Sequence, residues 1–555
     1  MGWLKRLLEA SKTLGKQQAN EAVSDLNNDR LDISEREHLI QHTKLVGSLE
    51  ANLEVIEKMV GPSQDVAIRR LRIGNQRVPA AIISIKEFSG SQPVEDLIEV
   101  LTINLVEGPL GDTPAHKLPE VIEDRLLQSR KVRLADTLDA LWRLLINGFT
   151  AILIEGHNEA IGCSTEGVVY RAIEEPPTEP TIRGPRDGFV ESLEVNISLV
   201  RRRLRTPNLW IESFTVGSLT RTRVGIAYIK GLAHEELVDE VRQRVSRIDI
   251  DGMIASGQLE EYVEDHPLSP FPVVYRTERP DRVTAMLLEG RVAILIDGSP
   301  FVLCAPVQFS MLLRAPDDYY EKTAASAFLG ILRYFSFWAS MLIPGMYVGA
   351  LTFHHELIPT ELLFKIVASR EGVPFPIVVE VMVMELVFEI LREAGLRLPR
   401  AIGSAVTIVG ALVLGDAAIS AGLVSPSVVI VVALTAIASF TTPNFSFSLA
   451  ARLIRFAFIV LGGVFGLFGI QFGFLLTVLL LTSMRSFGYP YFAPMGPLIL
   501  SEFRDVFARV WWWQMTRRPW AVGSREPVRQ RPGQMPKPAL EPEEVEKGRS
   551  GKWGR

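Results

Sequence analysis

The chain has 555 residues, of which 47% are hydrophobic and 22% are charged, and its 59 basic and 64 acidic side chains leave a formal net charge of −5. A length far beyond about 150 residues predicts several folding units, and the near-neutral charge disfavours a dedicated nucleic-acid-binding protein. The two cysteines, Cys163 and Cys304, exclude a disulfide framework and a four-thiolate zinc site but leave one disulfide or free thiols open.

The N-terminal segment, residues 1–44, is interpreted as a variable region. Lys5 and Arg6 stand near its start, but no apolar stretch of sufficient length follows them. The sequence therefore predicts no secretory signal, and we expect the N-terminal region to remain cytoplasmic.

Two similar units follow, at residues 45–175 and 191–318, and they predict two duplicated cytoplasmic α/β domains. Paired apolar strands flank Gly74 and recur around Gly217, 143 residues later. A pattern of helix, glycine and buried strand precedes Gly156 and recurs before Gly298, and turn-forming residues after both glycines predict β-hairpins. Residues 176–190 are read as a linker because of their prolines, Pro176, Pro177, Pro180 and Pro185.

Residues 319–500 predict an α-helical membrane domain, a multi-span transmembrane bundle. Its apolar stretches are 324–352, interrupted only by Arg333, then 401–423 and 426–441, which read as a helical hairpin, and 456–484. The last stretch contains glycines with the four-residue spacing that allows close helix approach, at positions 462, 466, 469 and 473.

The expected number of membrane crossings depends on which side of the membrane holds each end of the chain. Residues 501–555 are rich in proline and mixed charge, which predicts a largely disordered cytoplasmic tail. With both ends cytoplasmic the count must be even, so four crossings are expected and six remain open. The segment 376–393 is left as an interfacial, re-entrant or spanning helix because it is short and carries Glu380, Glu385, Glu389 and Arg392 before the final Glu393.

Three of those charges, Glu385, Glu389 and Arg392, fall on one stripe of a helix, whereas Glu380 lies round the cylinder. Arg392 is then placed to neutralise Glu389. The stripe is either a charged face kept from lipid by packing or an attractor of cations at a pore entrance, and we favour the structural interpretation.

Polar residues in the most apolar block are candidates for an ion pathway. They are Ser404, Thr407 and Asp416, with hydroxyl back-bonding to the helix and a helix end at the interface as the alternatives. Arg452 and Arg455 precede the last apolar stretch and are interpreted as headgroup anchors.

Catalytic and metal-binding signatures are weak. Neither a Walker loop nor GxSxG, HExxH or paired CxxC occurs, so we expect no enzyme activity and no cofactor. His354, His355 and Glu356 are of metal-ligand type, but their spacing does not fit a site and no metal is assigned.

Long motifs nevertheless resemble one family. They are GPRDGFVESLEVNISLVRRRL at 184–204, TVGSLTRTRVGIAYIKG at 215–231, IDGMIASGQLEEYVED at 250–265, LTFHHELIPTELL at 351–363 and IVGALVLGDAAISAGLVSP at 408–426. The sequence resembles the A subunit of the GerA-type spore germination receptors over roughly residues 45–500, and stage V sporulation protein AF is a close relative of that family.

The resemblance implies a spore inner-membrane protein that assembles with a transporter-like B subunit and a lipoprotein C subunit. It also implies an oligomeric, ion-conducting ring gated by those partners, with nutrient recognition resting mainly on the B subunit. We therefore expect no small-molecule pocket in this chain. The alternatives are an accessory protein of the stage V sporulation AF type, a transporter that acts alone, and a membrane-anchored enzyme.

Overall fold

The computed structural model describes residues 19–28, 31–74, 77–86, 88–104, 118–122, 131–167, 175–398, 413, 415–522 and 525–536. The strands are β1 (Val66–Ile73), β2 (Val78–Ile85), β3 (Val132–Ala135), β4 (Phe149–Ile154), β5 (Ala160–Ser164), β6 (Leu209–Val216), β7 (Thr222–Ile229), β8 (Tyr275–Thr277), β9 (Val292–Ile296), β10 (Val302–Ala305), β11 (Arg485–Ser486) and β12 (Tyr489–Pro490). The helices are α1 (Ile33–His42), α2 (Leu49–Val60), α3 (Ser91–Glu99), α4 (Leu118–Val121), α5 (Leu138–Ile146), α6 (Leu193–Arg203), α7 (Glu235–Ser246), α8 (Ser256–Val263), α9 (Pro280–Leu287), α10 (Phe309–Leu312), α11 (Thr323–Phe353), α12 (Thr360–Ser369), α13 (Ile377–Arg397), α14 (Pro426–Phe440) and α15 (Phe445–Ser483).

The head of the molecule consists of two antiparallel five-stranded sheets with one topology. The strand order is β1-β2-β4-β5-β3 in the first sheet and β6-β7-β9-β10-β8 in the second. The hairpins predicted on either side of Gly156 and Gly298 are confirmed as β4–β5 and β9–β10. The α/β character of the head is therefore confirmed, and the two sheets show the duplication that the repeated motifs predict.

The duplication extends to individual side-chain contacts. The Asn52 amide donates to the Val46 carbonyl at 2.6 Å and accepts from the Val46 N–H at 2.9 Å. Asn196 makes the same pair of bonds to Val190, at 2.6 and 2.8 Å. Each asparagine thereby pairs with the backbone N–H and carbonyl of the valine in the segment that leads into its helix. Polar backbone groups removed from water need such partners, and the two copies provide them in the same way.

The two cysteines are counterparts in this duplication. Cys163 on β5 lies opposite Val132, and Cys304 on β10 lies opposite Tyr275. Both side chains are buried and neither is in a disulfide, so of the two possibilities that the sequence leaves open, the structure has thiols. Burial raises the pKa of the Cys304 thiol to about 12, which keeps it protonated at neutral pH.

A buried ion pair joins the two copies. Asp65, in the loop before β1, accepts two hydrogen bonds from the Arg201 guanidinium on α6, at 2.9 and 3.0 Å. The two side chains are 0% and 1% exposed. Beside them Trp210 lies against Gly61, whose φ of +59° and close contact with the indole leave no room for a Cβ.

Within the described residues, two helices are long and apolar enough to cross a bilayer, α11 and α15, while the apolar α14 is shorter. Helix length and composition thus establish fewer crossing candidates than the four or six expected. The sequence leaves the segment 376–393 as an interfacial, re-entrant or spanning helix. In the structure this segment belongs to α13, a helix of 21 residues that continues to Arg397.

α15 is in fact two helices that fold back on each other. Gly466 interrupts the helical backbone with φ +62° and ψ −148°. A Cβ on Gly473, beyond the break, would lie 2.7 Å from Leu461, before it. Residues from both ends of α15, Phe447 and Leu481, belong to one hydrophobic cluster with the second head domain, so the break is the tip of a hairpin.

The glycines predicted to allow close helix approach do so. Gly462 abuts the backbone of Gly345 on α11, and a Cβ on Gly349 would lie 3.0 Å from the backbone of Gly466. α11 therefore packs against both legs of the hairpin. The end of the bundle at Gly466 and Phe353 is called the far end, and the opposite end adjoins the head.

α13 and α14 both run from the far end toward the head. Ile377 at the start of α13 and Val428 at the start of α14 share a hydrophobic cluster with Leu351. At their other ends, Arg392 donates to Ser439 at 2.9 Å. α13 and α14 thus point the same way.

An aromatic cluster joins the head to the bundle. Phe309 on α10 is 1% exposed, and its ring centroid lies 5.7 Å from Phe337, 5.2 Å from Phe447 and 5.1 Å from Phe492. These partners come from α11, from α15 and from the segment after α15. Edge-on contacts of this kind are favourable and directional, so the orientation of the second sheet is tied to that of the helices.

The segment after α15 differs from the predicted disordered tail. Residues 485–522 and 525–536 lie against the second head domain: Ser486 donates to the Val273 carbonyl at 2.6 Å, and Arg518 donates to the Leu288 carbonyl at 2.9 Å. Arginines that stack on tryptophan, such as Arg509 on Trp512 at 5.3 Å, add contacts that composition alone does not reveal. Residues 537–555 lie outside the described residues.

The Asp65–Arg201 pair yields a stability prediction. Asp65→Asn should destabilise the full chain by about 3–5 kcal/mol, because it leaves a buried guanidinium without its counter-charge. Thermal unfolding in detergent measures the effect. The matched control is Glu50→Gln, which removes the exposed pair to Arg70 (72% and 56% exposed) and should change stability by about 0–1 kcal/mol. Equal losses in both variants would contradict the assignment.

Candidate functional site

The bundle contains a line of charged side chains on α13 at three heights. Glu380 lies near the far end, Glu385 one and a half turns closer to the head, and Glu389 one turn beyond that. Each carboxylate meets an arginine from another element. We call this set, with its arginines, the charge ladder.

Glu380, at the far end, is 1% exposed and tied to the start of α14. Its carboxylate accepts from the Ser425 hydroxyl at 2.6 Å and from the Ser425 backbone N–H. Arg370, at the end of α12, lies 3.3 Å from the same carboxylate. The carboxylate therefore caps α14 with a negative charge at its N-terminus, where the helix dipole favours one.

Glu385 occupies the middle height. Its carboxylate lies 2.6 Å from Arg455, with the two side chains 3% and 2% exposed, and it accepts from the Thr435 hydroxyl at 3.2 Å. Arg455 stands ten residues into the first leg of α15 and eleven before Gly466. The pair is thus close to the midpoint of the leg and as far from either end as the bundle allows.

Glu389 is shared by two arginines nearest the head. It accepts from Arg452, and Arg392 lies 3.9 Å away. The Arg392 guanidinium also stacks between Phe388 and Phe440, at 5.2 and 4.8 Å from their centroids. Arg392 therefore contributes to neutralising Glu389, as the helical spacing predicts, while Arg452 makes the closer contact.

The ladder carries more positive than negative charge: four arginines, at positions 370, 392, 452 and 455, face three glutamates. Arg455 is 1% exposed, yet its Nε and Nη2 atoms find no acceptor among the described residues. A guanidinium has five N–H donors, and leaving some unmet in an apolar interior is costly. The ladder therefore has one more positive than negative side chain, and two N–H groups of its central arginine lack an acceptor.

Arg452 and Arg455 differ from the headgroup anchors that the sequence suggested. Their side chains are 5% and 2% exposed and face carboxylates inside the bundle. The sequence does not reveal that these arginines pair with carboxylates, because the carboxylates lie more than sixty residues earlier in the chain. The contacts of Arg370 and Ser425 with Glu380 were also not predicted. The signal for them was Glu380 itself, because a carboxylate in an apolar segment needs a partner.

The predicted ion-pathway residues are only partly placed. Ser404 and Thr407 lie outside the described residues. Asp416 is described as exposed, in a short helical stretch just before α14. The structure therefore brings Glu385, Glu389 and Arg392 together with α15 but not with Asp416, and the pathway remains a prediction.

His354 and His355 follow α11 at the far end. The His354 ring lies against Gly466, at the tip of the α15 hairpin. Among the described residues no group of three histidine, cysteine or acidic side chains is arranged to hold a metal ion. His354 accordingly has a packing contact at the hairpin tip.

The expectation of a chain without a pocket is wrong. A cavity of about 1220 Å³ lies between the second head domain and the segment after α15. Its walls include Arg282, Arg314, Tyr319 and Asp505. The cavity exists because residues that composition assigned to a disordered tail fold against the head and form one of its walls.

The pKa values of two acids in the cavity wall are shifted by burial. Burial raises the pKa of the Tyr319 hydroxyl to about 12, and burial raises the pKa of the Asp505 carboxyl although Arg314 opposes the shift. Asp505 and Arg314 lie 2.5 Å apart. This part of the wall is therefore poorly hydrated, and the ionised form of Asp505 is stabilised by the positive charge of Arg314.

The middle of the ladder yields a second stability prediction. Glu385→Gln and Arg455→Met should each lower the midpoint of thermal unfolding of the detergent-solubilised chain, by the equivalent of about 3–5 kcal/mol, because each strands a buried charge. The double variant should recover most of the loss. The control is Glu393→Gln, which breaks an exposed pair to Arg397 (57% and 79% exposed) and should be nearly neutral. A double variant no better than the singles would contradict the pairing.

Comparison with known proteins identifies the family. The sequence profile described as Bacillus/Clostridium GerA spore germination protein matches residues 54–521. Spore germination protein KA of Bacillus subtilis (strain 168) is 46% identical over 494 residues, 89% of this chain and 90% of that protein. The uncharacterized membrane protein YfkQ of the same organism is 41% identical over 473 residues, 85% of this chain and 91% of that protein.

A solved structure of a related protein matches part of the chain. It is the N-terminal domain of the A subunit of the Bacillus megaterium spore germinant receptor GerK3, at 34% identity and a TM-score of 0.39, covering 48% of this chain and 98% of that chain. The profile match and the high coverage of the curated relatives confirm the resemblance found in the sequence motifs. The chain belongs to the GerA family of spore germination proteins.

Proposed function

We propose that this chain is the membrane subunit of a nutrient-germinant receptor that triggers spore germination. The observation that carries the proposal is full-length similarity to spore germination protein KA, over 89% of this chain. The architecture supports it, because a duplicated α/β head is joined by the Phe309 cluster to an apolar bundle with a buried charge ladder. An assembly of this kind can convert a change at the head into a change among the helices.

The bundle supports a location in the bilayer. α11 and each leg of the α15 hairpin are of a length suited to crossing the hydrocarbon layer, which takes about 20 residues, and large apolar side chains such as Phe335 and Phe468 are 70% and 71% exposed on them. The parallel course of α13 and α14 adds passages to those of α11 and the hairpin. The higher of the two even counts, six crossings, is therefore the one we propose, with head and C-terminal segment on the cytoplasmic side of the spore inner membrane.

Ion conduction would arise between subunits of a homo-oligomer. Asp416 is exposed in the single chain, and an exposed carboxylate in an apolar segment needs water or a partner. A ring that places Asp416 toward a shared axis would supply water, with Ser404 and Thr407 on the same aqueous face. The charge ladder would then hold α13, α14 and α15 in register behind that face.

The proposed partners are a transporter-like B subunit and a lipoprotein C subunit. Nutrient binding to the assembly would shift the population of two bundle arrangements, and a ligand shifts such a balance only by its difference in affinity for the two states. The proposed role of this chain is non-enzymatic. An accessory role of the stage V sporulation AF type and a stand-alone transporter are the alternatives.

Electrical recording tests the channel directly. Planar bilayers containing this chain with its B and C subunits should show discrete nutrient-dependent conductance steps, and omission of the B subunit should remove the nutrient response. Conductance without steps, saturating with substrate when this chain is reconstituted alone, would favour the transporter. Germination with unchanged ion release in spores that lack this chain would favour the accessory role.

Asp416 provides a residue-level test. Asp416→Asn removes one charge from each subunit at the proposed aqueous face, and nutrient-triggered release of monovalent cations from spores should slow by about tenfold, because a carboxylate ring attracts cations. Immunoblots of the membrane fraction check insertion. Glu361→Gln, which removes another carboxylate from the far end outside the proposed aqueous face, is the control and should leave release unchanged. Wild-type release from the Asp416→Asn spores would remove this residue from the pathway.

A further inference from the structure

The cavity between the second head domain and the C-terminal segment has an unmatched positive charge. Eight arginines line its 1220 Å³ against four carboxylates. Asp505 is already paired with Arg314 at 2.5 Å, and Glu289 with Arg291 at 3.0 Å. The carboxylates therefore leave guanidinium charge in excess.

Four of the lining arginines make no ion pair with a carboxylate in the part of the chain that the structure describes: Arg282, Arg504, Arg517 and Arg529. Arg282 is the most buried of the four, at 8% exposed. Its guanidinium donates to the Tyr275 hydroxyl at 3.0 Å and to the Arg314 carbonyl at 3.2 Å, and the carboxylates of Glu179 and Asp281 act on it through space. The other three arginines have no such carboxylate partner among the described ion pairs, so the excess positive charge of the cavity lies mainly on Arg504, Arg517 and Arg529.

The cavity lies where the head meets the bundle. Tyr319 and Tyr320 in its wall immediately precede α11, and Pro494 and Pro497 follow the α15 hairpin. Large apolar side chains are exposed around it: Leu498 is 67%, Leu500 75% and Trp520 64% exposed. Tryptophan beside exposed leucine is typical of side chains at the headgroup level of a bilayer.

We propose that this cavity binds a phosphate oxyanion carried by the headgroup of an anionic phospholipid. Guanidinium groups match phosphate oxygens in paired, charge-assisted hydrogen bonds. The volume exceeds what a lone phosphate needs and lies above the usual range of about 300–1,000 Å³ for ligand sites, so it can admit a headgroup and its glycerol. The acyl chains would leave past the exposed leucines.

Such a ligand would fasten separate parts of the chain at once. Arg282 belongs to α9 of the second head domain, whereas Arg504 and Arg517 belong to the C-terminal segment. A phosphate between them neutralises charges that otherwise repel across the cavity. The headgroup is therefore a structural tie that holds the C-terminal segment against the head at the membrane surface.

Thermal unfolding of the full chain in a zwitterionic detergent tests the site. The probes are dioctanoyl phosphatidylglycerol, dioctanoyl phosphatidylcholine and glycerol 1-phosphate. We expect phosphatidylglycerol at saturation to raise the midpoint by about 2–4 °C, and phosphatidylcholine to leave it unchanged. A response to phosphatidylglycerol alone identifies the lipid, and a response to glycerol 1-phosphate as well identifies the phosphate as sufficient. No response to either anionic probe overturns the proposal.

Matched variants separate the cavity from general surface charge. Arg504→Gln, Arg517→Gln and Arg529→Gln combined should abolish the response, and because these side chains are exposed or half-exposed the chain should fold normally without ligand. The control triple carries Arg69→Gln, Arg72→Gln and Arg485→Gln, which are exposed and do not line the cavity. An equal loss of response in the control triple would overturn the site. The glycerol 1-phosphate arm needs no bilayer, so its outcome is distinguishable from failure of the proposed membrane location.

Discussion

A charged side chain inside an apolar helical bundle must have a partner, and the arrangement of helices here follows from that requirement. Glu385 and Arg455 are both nearly excluded from solvent and lie 2.6 Å apart. Their partnership fixes the rotation of α13 and of the first leg of α15, since turning either helix would separate the two buried charges. Glu380 and Glu389 repeat the constraint on either side of Glu385 along α13. The bundle is thus specified by charge pairing as well as by apolar packing.

The same constraint links the bundle to the head. Arg333, the charged residue within the apolar stretch of α11, meets both oxygens of Asp318 at 2.5 and 2.6 Å. Asp318 precedes the helix, so the pair sets where α11 begins. Together with the Phe309 cluster, it fixes the position of the first bundle helix relative to the second sheet. A rearrangement of the head would then reach Glu385 through α11 and the hairpin.

Periodicity and turn chemistry sufficed to predict the head. Alternating apolar residues around Gly74 and Gly217, and glycine after a helix at Gly148 and Gly290, indicate local structure that the sheets retain. The reversal at Gly466 was not predicted, because glycine in an apolar helix is compatible with close packing, a kink or a turn, and tertiary contacts with Gly349 decide among these. The ion pairs of the charge ladder were not predicted for a related reason. Glu385 and Arg455 are seventy residues apart in the chain, and only the packed bundle brings them together. The cavity was missed because one of its walls is formed by the C-terminal segment, whose composition indicates disorder but whose arginines stack on tryptophan.

The duplication is asymmetric in a way that bears on how the head works. Hydrophobic clusters of the first copy contain residues up to Cys163, whereas the second copy shares its main cluster with α11 and α15. The first copy is instead tied to the second through the buried pair of Asp65 and Arg201. Since both copies have one topology, the difference lies in the connection that leaves each hairpin: β10 leads through Phe309 into the bundle, while β5 leads into the second copy. The second copy therefore carries the hydrophobic connection to the helical bundle, and the first copy is attached to the second.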